Sequence, residues 1–154
     1  MTPVTAAIGL GQMSQVSAFL NSRKENGALL LEAVKDCSWL IPQPQTQDGV
    51  LHTYYTFGVK YLGNEAKGIN WQEFYDEFCE LGGDGFYSNC KNPYLEPFFI
   101  GKSLSSQLLS AGLCPVAEDL QARIMAFKTN YLNLDNARNQ AEILSSLIDR
   151  IGRK

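Results

Sequence analysis

Histidine is almost missing from this sequence: His52 is the only one among 154 residues. A histidine-rich metal site is therefore excluded, and any Ser–His or Cys–His nucleophile pair would have to run through that one side chain. His52 opens an aromatic stretch and reads as a hydrogen-bonded structural residue. Cysteine is sparse too. Cys37, Cys79, Cys90 and Cys114 are irregularly spaced with no Cys-x-x-Cys, which argues against a zinc site or a disulfide framework and predicts buried thiols. No apolar run approaches the roughly 18 residues of a membrane span. The opening Met-Thr-Pro-Val-Thr has no basic stretch of the signal-peptide kind, so the sequence predicts a cytoplasmic protein. Positive charge is not in excess. Thirteen Lys and Arg against sixteen Asp and Glu leave a formal charge of −3, which argues against nucleic acid as the main partner.

What is present fits a folded domain. The chain is 45% apolar, too much for disorder at so small a charge. A chain this long buries roughly 68–70% of its unfolded surface. Residues 3–36 read as one long helix with Pro3 in the first turn. From Val4 to Gly11 that helix is apolar or small on every side, so it expects cover all round. From Asn21 to Asn26 it reads as solvated. Trp39 to Ile41 predicts a short strand stopped by Pro42 and Pro44, with a polar loop from Gln43 to Val50. His52 to Leu62 predicts the best strand, with Tyr55, Phe57, Val59 and Tyr61 on one side. Gly63 to Gly68 reads as a surface turn. Asn70 and Glu73 predict a capping box, followed by a stripe of Trp71, Phe74, Phe78 and Leu81 and a stop at Gly82-Gly83.

Gly85 to Ser88 reads as a strand, and Lys91 to Leu113 as a long loop, a feature uncommon without a functional reason. Pro115 starts a helix with Val116, Leu120 and Ile124 inward, Met125 to Thr129 is a strand, and Leu134 to Ile151 an amphipathic helix. The order predicts an α+β domain, a small mixed or antiparallel sheet covered by helices and led by a long N-terminal helix.

The local motifs supply no chemistry. Gly101-Lys102-Ser103 lacks the glycine five residues upstream that a phosphate-binding loop needs, since position 96 is Glu. Gly82-Gly83-Asp84-Gly85 follows a helix and leads into a strand, the reverse of a dinucleotide fingerprint. Glu73, Asp76, Glu77 and Glu80 read as a solvated helix face. Tyr94, Phe98 and Phe99 in the long loop either pack, in the core or on a partner, or line a ligand cleft.

Five stretches together resemble the DegT/DnrJ/StrS aminotransferases. The segment Met1 to Gln12, with its Ala6-Ala7-x-Gly9-x-x-Gln12, is similar to the family's "R-M-x-x-x-x-A-A-x-G-x-x-Q". Arg23-Lys24-Glu25-Asn26 resembles "R-R-x-N", and His52-Thr53-Tyr54-Tyr55 resembles "H-x-[WY]-[HY]". Pro93 to Pro97 resembles "P-L-H/Y-x-x-P", and Cys114-Pro115-Val116-Ala117-Glu118 the "[FC]-P-x-A-E" helix start.

The resemblance implies the small C-terminal domain of a pyridoxal-phosphate enzyme that aminates a nucleotide-linked keto-sugar, for surface polysaccharide or lipopolysaccharide or for a secondary-metabolite sugar. It implies residues 1–36 as an interdomain-type helix and 38–154 as the sheet-and-helix body. The large domain, with its Schiff-base lysine, is expected to lie outside this chain, to which no catalytic residue is assigned. The implied partners are that large domain, a second subunit, the nucleotide sugar and a glutamate or glutamine donor. Pyridoxal phosphate would belong to the intact enzyme, and this chain alone is expected not to bind it. Many family members carry a histidine before the Pro-Leu motif, where this sequence has Ser88-Asn89-Cys90-Lys91. The substrate contacts expected here are Tyr87, Asn89 and Tyr94. The other reading is a free-standing α+β binding or regulatory module without catalysis.

Overall fold

The computed structural model describes residues 1–44, 51–88, 90–104 and 107–152. Two helices lead the chain, α1 (Pro3–Met13) and α2 (Val16–Val34). The single helix expected over 3–36 is broken at Ser14-Gln15. There the Ser14 hydroxyl donates to Gly11 O at 2.7 Å, and Gln15 N–H donates to Gln12 O, a local alternative to helical hydrogen bonding. Thr2 caps α1 through Thr5 N–H, yet none of its residues is buried.

Next come β1 (Leu40–Pro42), β2 (Phe57–Tyr61), α3 (Gly63–Lys67), α4 (Trp71–Glu80) and β3 (Phe86–Ser88). The short strands β4 (Ser103–Leu104) and β5 (Gln107–Leu108) form a separate antiparallel ribbon. After α5 (Pro115–Gln121), strand β6 (Ile124–Phe127) and α6 (Leu134–Gly152) close the chain. The main sheet runs β1-β2-β6-β3, antiparallel throughout, with Phe57 opposite Phe127 and Phe86 opposite Phe127 on its other side. The fold class is α+β, as expected.

The core lies on one face of this sheet. Phe57, Val59 and Tyr61 of β2 and Met125 and Phe127 of β6 meet Leu30 and Val34 of α2, Phe74 and Phe78 of α4, and Leu144, Leu147 and Ile151 of α6. The period-2 pattern of β2 and the 3.6-residue stripes of α4 and α6 generate that meeting. Around Asn70 the capping box is complete: Asn70 Oδ1 accepts Glu73 N–H at 2.9 Å, and Glu73 Oε2 accepts Asn70 N–H at 2.8 Å. Leu81, placed by the sequence on the inward stripe, is exposed beyond the helix end.

Several expectations change. The turn over 63–68 is a helical turn, α3, closed by Gly68 at φ +67°, a conformation glycine adopts without strain. Strand β2 begins five residues later than His52. The loop from 91 to 113 holds a 3-10 turn, Pro93–Leu95, besides the ribbon. Val116 points to solvent at 72% exposure, because α5 is short and ends before Ile124, which belongs to β6. Cys37 and Cys79 are half-buried, whereas Cys90 and Cys114 are exposed, so burial of the thiols is at best partial. Of the polar loop expected over 43–50, residues 45–50 lie outside the described residues. No described helix is long and apolar enough to cross a membrane.

Candidate functional site

The most structured surface feature starts at a strained turn. Tyr54 has φ 48°, in the left-handed region that a bulky side chain rarely occupies. Three hydrogen bonds from Thr129 and Arg23 reach the turn's carbonyls, and a fourth joins those two side chains. Thr129 Oγ1 donates to Tyr54 O at 2.6 Å and to Tyr55 O at 3.1 Å. Arg23 Nη1 donates to Tyr55 O at 2.7 Å and to Thr129 Oγ1 at 3.3 Å. The Tyr54 ring packs over Gly27, where a Cβ would overlap it, and stacks on Phe57 at 6.2 Å. Here Gly27 is required by close approach rather than by backbone angle. The turn reverses the predicted alternation: Tyr54 is buried and Tyr55 stands 79% exposed. The Arg23 guanidinium lies 5.2 Å from the centre of the Tyr55 ring, within cation–π range.

Helix α2 also ties down the segment after β6. Asn26 Nδ2 donates to Thr129 O at 2.9 Å and to Tyr131 O at 2.8 Å, and Ser22 Oγ donates to Tyr131 O at 3.0 Å. Ser22 and Asn26 are four residues apart and so share a helix face. The sequence reading made this stretch solvated. Asn26 is in fact 1% exposed, because its amide replaces water for two strand-end carbonyls.

The third wall comes from the turn before β3. Lys128 Nζ donates to Asp84 O at 2.8 Å, and Asp84 N–H donates to Gln140 Oε1 at 2.8 Å. The Tyr131 phenol bonds the Asp84 side chain; burial first, and that bond second, push its pKa well above the usual tyrosine range. These three walls flank an open cleft of about 780 Å³ whose lining includes Arg23, Tyr55, Asp84, Tyr87, Lys128 and Tyr131. That volume lies within the range of small-molecule sites. Neither Arg23 nor Lys128 forms a salt bridge among the described residues.

A second hollow of about 540 Å³ lies between α2 and α6. Its two cations are already paired, Lys35 with Glu32 and Arg138 with Asp135, and it assembles no reactive set. Among the described residues no group of three His, Cys, Asp or Glu is arranged to hold a metal. His52 is held in a local network, its Nδ1 accepting Tyr54 N–H at 2.9 Å and its Nε2 lying 2.8 Å from Gln43 Nε2.

The three residues singled out from sequence are placed differently. Tyr87 lines the cleft and is 60% exposed. Asn89 lies outside the described residues. Tyr94 sits in another network: its hydroxyl donates to Glu118 Oε1 at 2.8 Å. The same carboxylate accepts Gly112 N–H at 2.9 Å and Cys114 N–H at 3.3 Å, so Tyr94 fastens the long loop to α5. Those bonds, led by the one from Gly112, hold the Glu118 carboxyl below the usual range. Burial and the Glu118 bond push the Tyr94 phenol up. Arg23, Asp84, Lys128 and Tyr131 are not among the contacts expected from sequence; the signals there are the polar Ser22-Arg23-x-x-Asn26 on a helix otherwise rich in apolar residues and the motif resemblance over Arg23 to Asn26.

A four-stranded antiparallel sheet with α2, α4 and α6 on one face, led by an unburied apolar helix, defines the architecture to compare. No protein-family model matches the sequence, and no curated protein does. Solved structures do. An aminotransferase from Psychrobacter cryohalolentis superposes with a TM-score of 0.79 at 20% identity, over 99% of this chain and 40% of its own. A protein of Streptococcus pneumoniae named as a sugar aminotransferase, solved in its PMP form, gives 0.70 at 15% identity, over 98% of this chain and 36% of its own. The Helicobacter pylori aminotransferase PseC, involved in the biosynthesis of pseudoaminic acid, gives 0.66 at 17%, over 94% and 36%. At these identities the likeness is one of fold. The chain spans about two-fifths of the length of the aminotransferases it resembles.

Proposed function

We propose that this chain is the small domain of a pyridoxal-phosphate-dependent aminotransferase of DegT/DnrJ/StrS type, acting on a nucleotide-linked keto-sugar in polysaccharide or secondary-metabolite biosynthesis. One observation carries the reading. Nearly the whole chain takes the fold of a part, and only a part, of three aminotransferases, two of them tied by name to sugars. The ordered sequence motifs support it independently.

In this reading α1 is a contact element. Its apolar residues Val4, Ile8 and Leu10 are each more than 60% exposed, and they would pack on the large domain and the second subunit. The body, residues 38–154, closes over the sugar end of the substrate, with Tyr87, Asn89 and Tyr94 as the proposed contacts. Glutamate or glutamine would be the amino donor, and the reaction would take place in the cytoplasm. Tyr94 would present its ring with its hydroxyl held by Glu118, and Tyr87 an exposed ring and hydroxyl.

The residues of this chain do not fit a pyridoxal-phosphate site by themselves. No described lysine is buried, and the one in the cleft, Lys128, donates to a backbone carbonyl beside a carboxylate already bonded to Tyr131. The cofactor, which supplies the electron sink for transamination, would be held by the large domain. The contribution of this domain is to orient the sugar and exclude water on closure.

Titrating the 154-residue chain with pyridoxal phosphate is expected to leave the free cofactor's spectrum unchanged. Adding a lysine-bearing large domain, encoded in frame upstream of Met1 or supplied separately, is expected to restore cofactor binding and transamination. Transaminase turnover by the isolated chain, or no turnover with any large domain, would contradict the proposal. A free-standing binding module is the second reading, favoured by a cleft whose lining brings two cations, a carboxylate and exposed tyrosines together on this chain.

A further inference from the structure

We propose that the groove between α2 and α6 docks a basic amphipathic helix of a partner protein. The inference does not rest on the aminotransferase reading, because the groove shares no lining residue with the cleft around Tyr87. Its test needs only this chain, so it stands or falls apart from any cofactor domain.

The groove follows from how the two helices fill the core. Leu30 and Val34 of α2 and Leu144, Leu147 and Ile151 of α6 are buried there. The residues beside them, Leu29 and Ala33 on α2 and Ala141, Ser145 and Ile148 on α6, line the hollow of about 540 Å³. Spacings of three and four residues make each set a stripe along its helix. Ala33, Ala141 and Ser145 are small, so another helix can come close between the two.

Charge selects the occupant. Exposed carboxylates stand along the rim, Glu32 and Asp36 from α2 and Glu142 and Asp149 from α6. The two cations of the lining are already answered, Lys35 by Glu32 and Arg138 by Asp135. Asp36, Glu142 and Asp149 form no ion pair among the described residues. The same is true of Asp76 and Glu80 on α4; the three on the groove differ in bordering an apolar floor. The complement of such a surface is an apolar stripe flanked by Lys or Arg. A second copy of this face would set carboxylate against carboxylate, which disfavours a symmetric pair.

Length and backbone chemistry make the occupant a helix. From Leu29 to Cys37 the lining extends about 12 Å along α2, and from Arg138 to Asp149 about 16 Å along α6, at 1.5 Å per residue. That is room for about two to three helical turns, more than a compact organic cation fills. Both walls are helices, whose backbone groups bond internally and offer no strand edge. An extended peptide would find no partners for its own backbone there, whereas a helix arrives with its bonds already made.

Calorimetric titration of the full 154-residue chain tests this with a synthetic helical peptide of about 18 residues, a leucine stripe flanked by lysines. Its controls are the same stripe flanked by glutamates, the lysine peptide with its order scrambled, and spermine. Binding is expected for the lysine-flanked helix alone, with affinity falling as salt rises. Glu142→Lys with Asp149→Lys is expected to weaken it about tenfold. Asp76→Lys with Glu80→Lys makes the same change in net charge on α4 and is expected to alter affinity less than about twofold. Ser145→Trp, which fills the groove without changing charge, is expected to weaken binding about tenfold or more. Each variant is checked for unchanged circular dichroism, and Asp36→Lys on α2 replaces the α6 pair if that pair does not fold. No binding at about millimolar peptide overturns the proposal. Equal binding of the glutamate-flanked helix also overturns it, and would point to α1, which carries no charged residue. So would the scrambled peptide or spermine matching the helix, or the α4 pair weakening binding as much as the α6 pair. Self-association of the chain that Ser145→Trp abolishes would assign the groove to a second copy instead.

Discussion

Helices α1 and α6 are both helices in the sequence and in the structure, yet they relate to the rest of the molecule in opposite ways. α1 is the more apolar, with Val4, Ile8, Leu10 and Met13, and buries none of its 11 residues. α6 is mixed in composition and buries Ala137, Gln140, Ala141, Leu144, Leu147 and Ile151. The difference lies in arrangement, not amount. A stripe recurring at the helical period can be covered by one neighbour, whereas apolar residues on all sides need cover from several. α6 finds its neighbours in α2 and α4. α1 would find its own in the large domain and second subunit proposed above.

The comparison is broken most severely by removing the core side of α6. Leu144→Ala, at a position with no exposure, is expected to cost about 2–5 kcal/mol, read as a shift in denaturant midpoint. Asn26→Ala comes next. It leaves the Thr129 carbonyl without its buried donor and the Tyr131 carbonyl with Ser22 alone, at about 1–3 kcal/mol, and loosens the cleft wall. A chemical shift change at Lys128 and Tyr131 in the same variant would show that α2 holds that wall.

Acid gives a smaller, local effect. The Glu118 carboxyl is held below its ordinary value of 4.5, so its contribution is present above that value and lost as pH falls through the lower folded value. The amide resonances of Gly112 and Cys114 are expected to move together in that acid window, with Glu118→Gln abolishing the shared transition. Amides that titrate independently would separate the loop stem from Glu118. Smallest of all is Ile8→Ser on α1. It is expected to change stability by no more than about 0.5 kcal/mol while reducing binding of a hydrophobic dye.

How much of this could be read beforehand follows from locality. The cap at Asn70, the stripe of α6 and the alternation from Phe57 to Tyr61 depend on residues a few positions apart, and each was legible. The break at Ser14 was not, because a serine within an otherwise continuous pattern gives no period change. The start of β2 was misplaced for a different reason. Thr129, 75 positions away, holds the backbone of Tyr54, and that distant bond reverses which tyrosine is buried. The cleft shows the same limit. Tyr87 could be singled out as an aromatic near a loop, but Arg23, Asp84, Lys128 and Tyr131 converge only through the packing of α2 against the end of β6 and the turn before β3. The family motifs were recognisable in order, and the fold likeness to aminotransferases agrees with them at the level of architecture.

Amide hydrogen exchange of the dilute 154-residue chain tests the contrast between the two helices most directly. An isolated helix shorter than about 12–15 residues is marginal in water, and α1 also carries Gly9 and Gly11. The account predicts that amides across α1 exchange close to unfolded rates, that those of α6 around Leu144 exchange only with global unfolding, and that adding the large domain protects α1. Protection of α1 equal to that of α6 in the isolated monomer would contradict it.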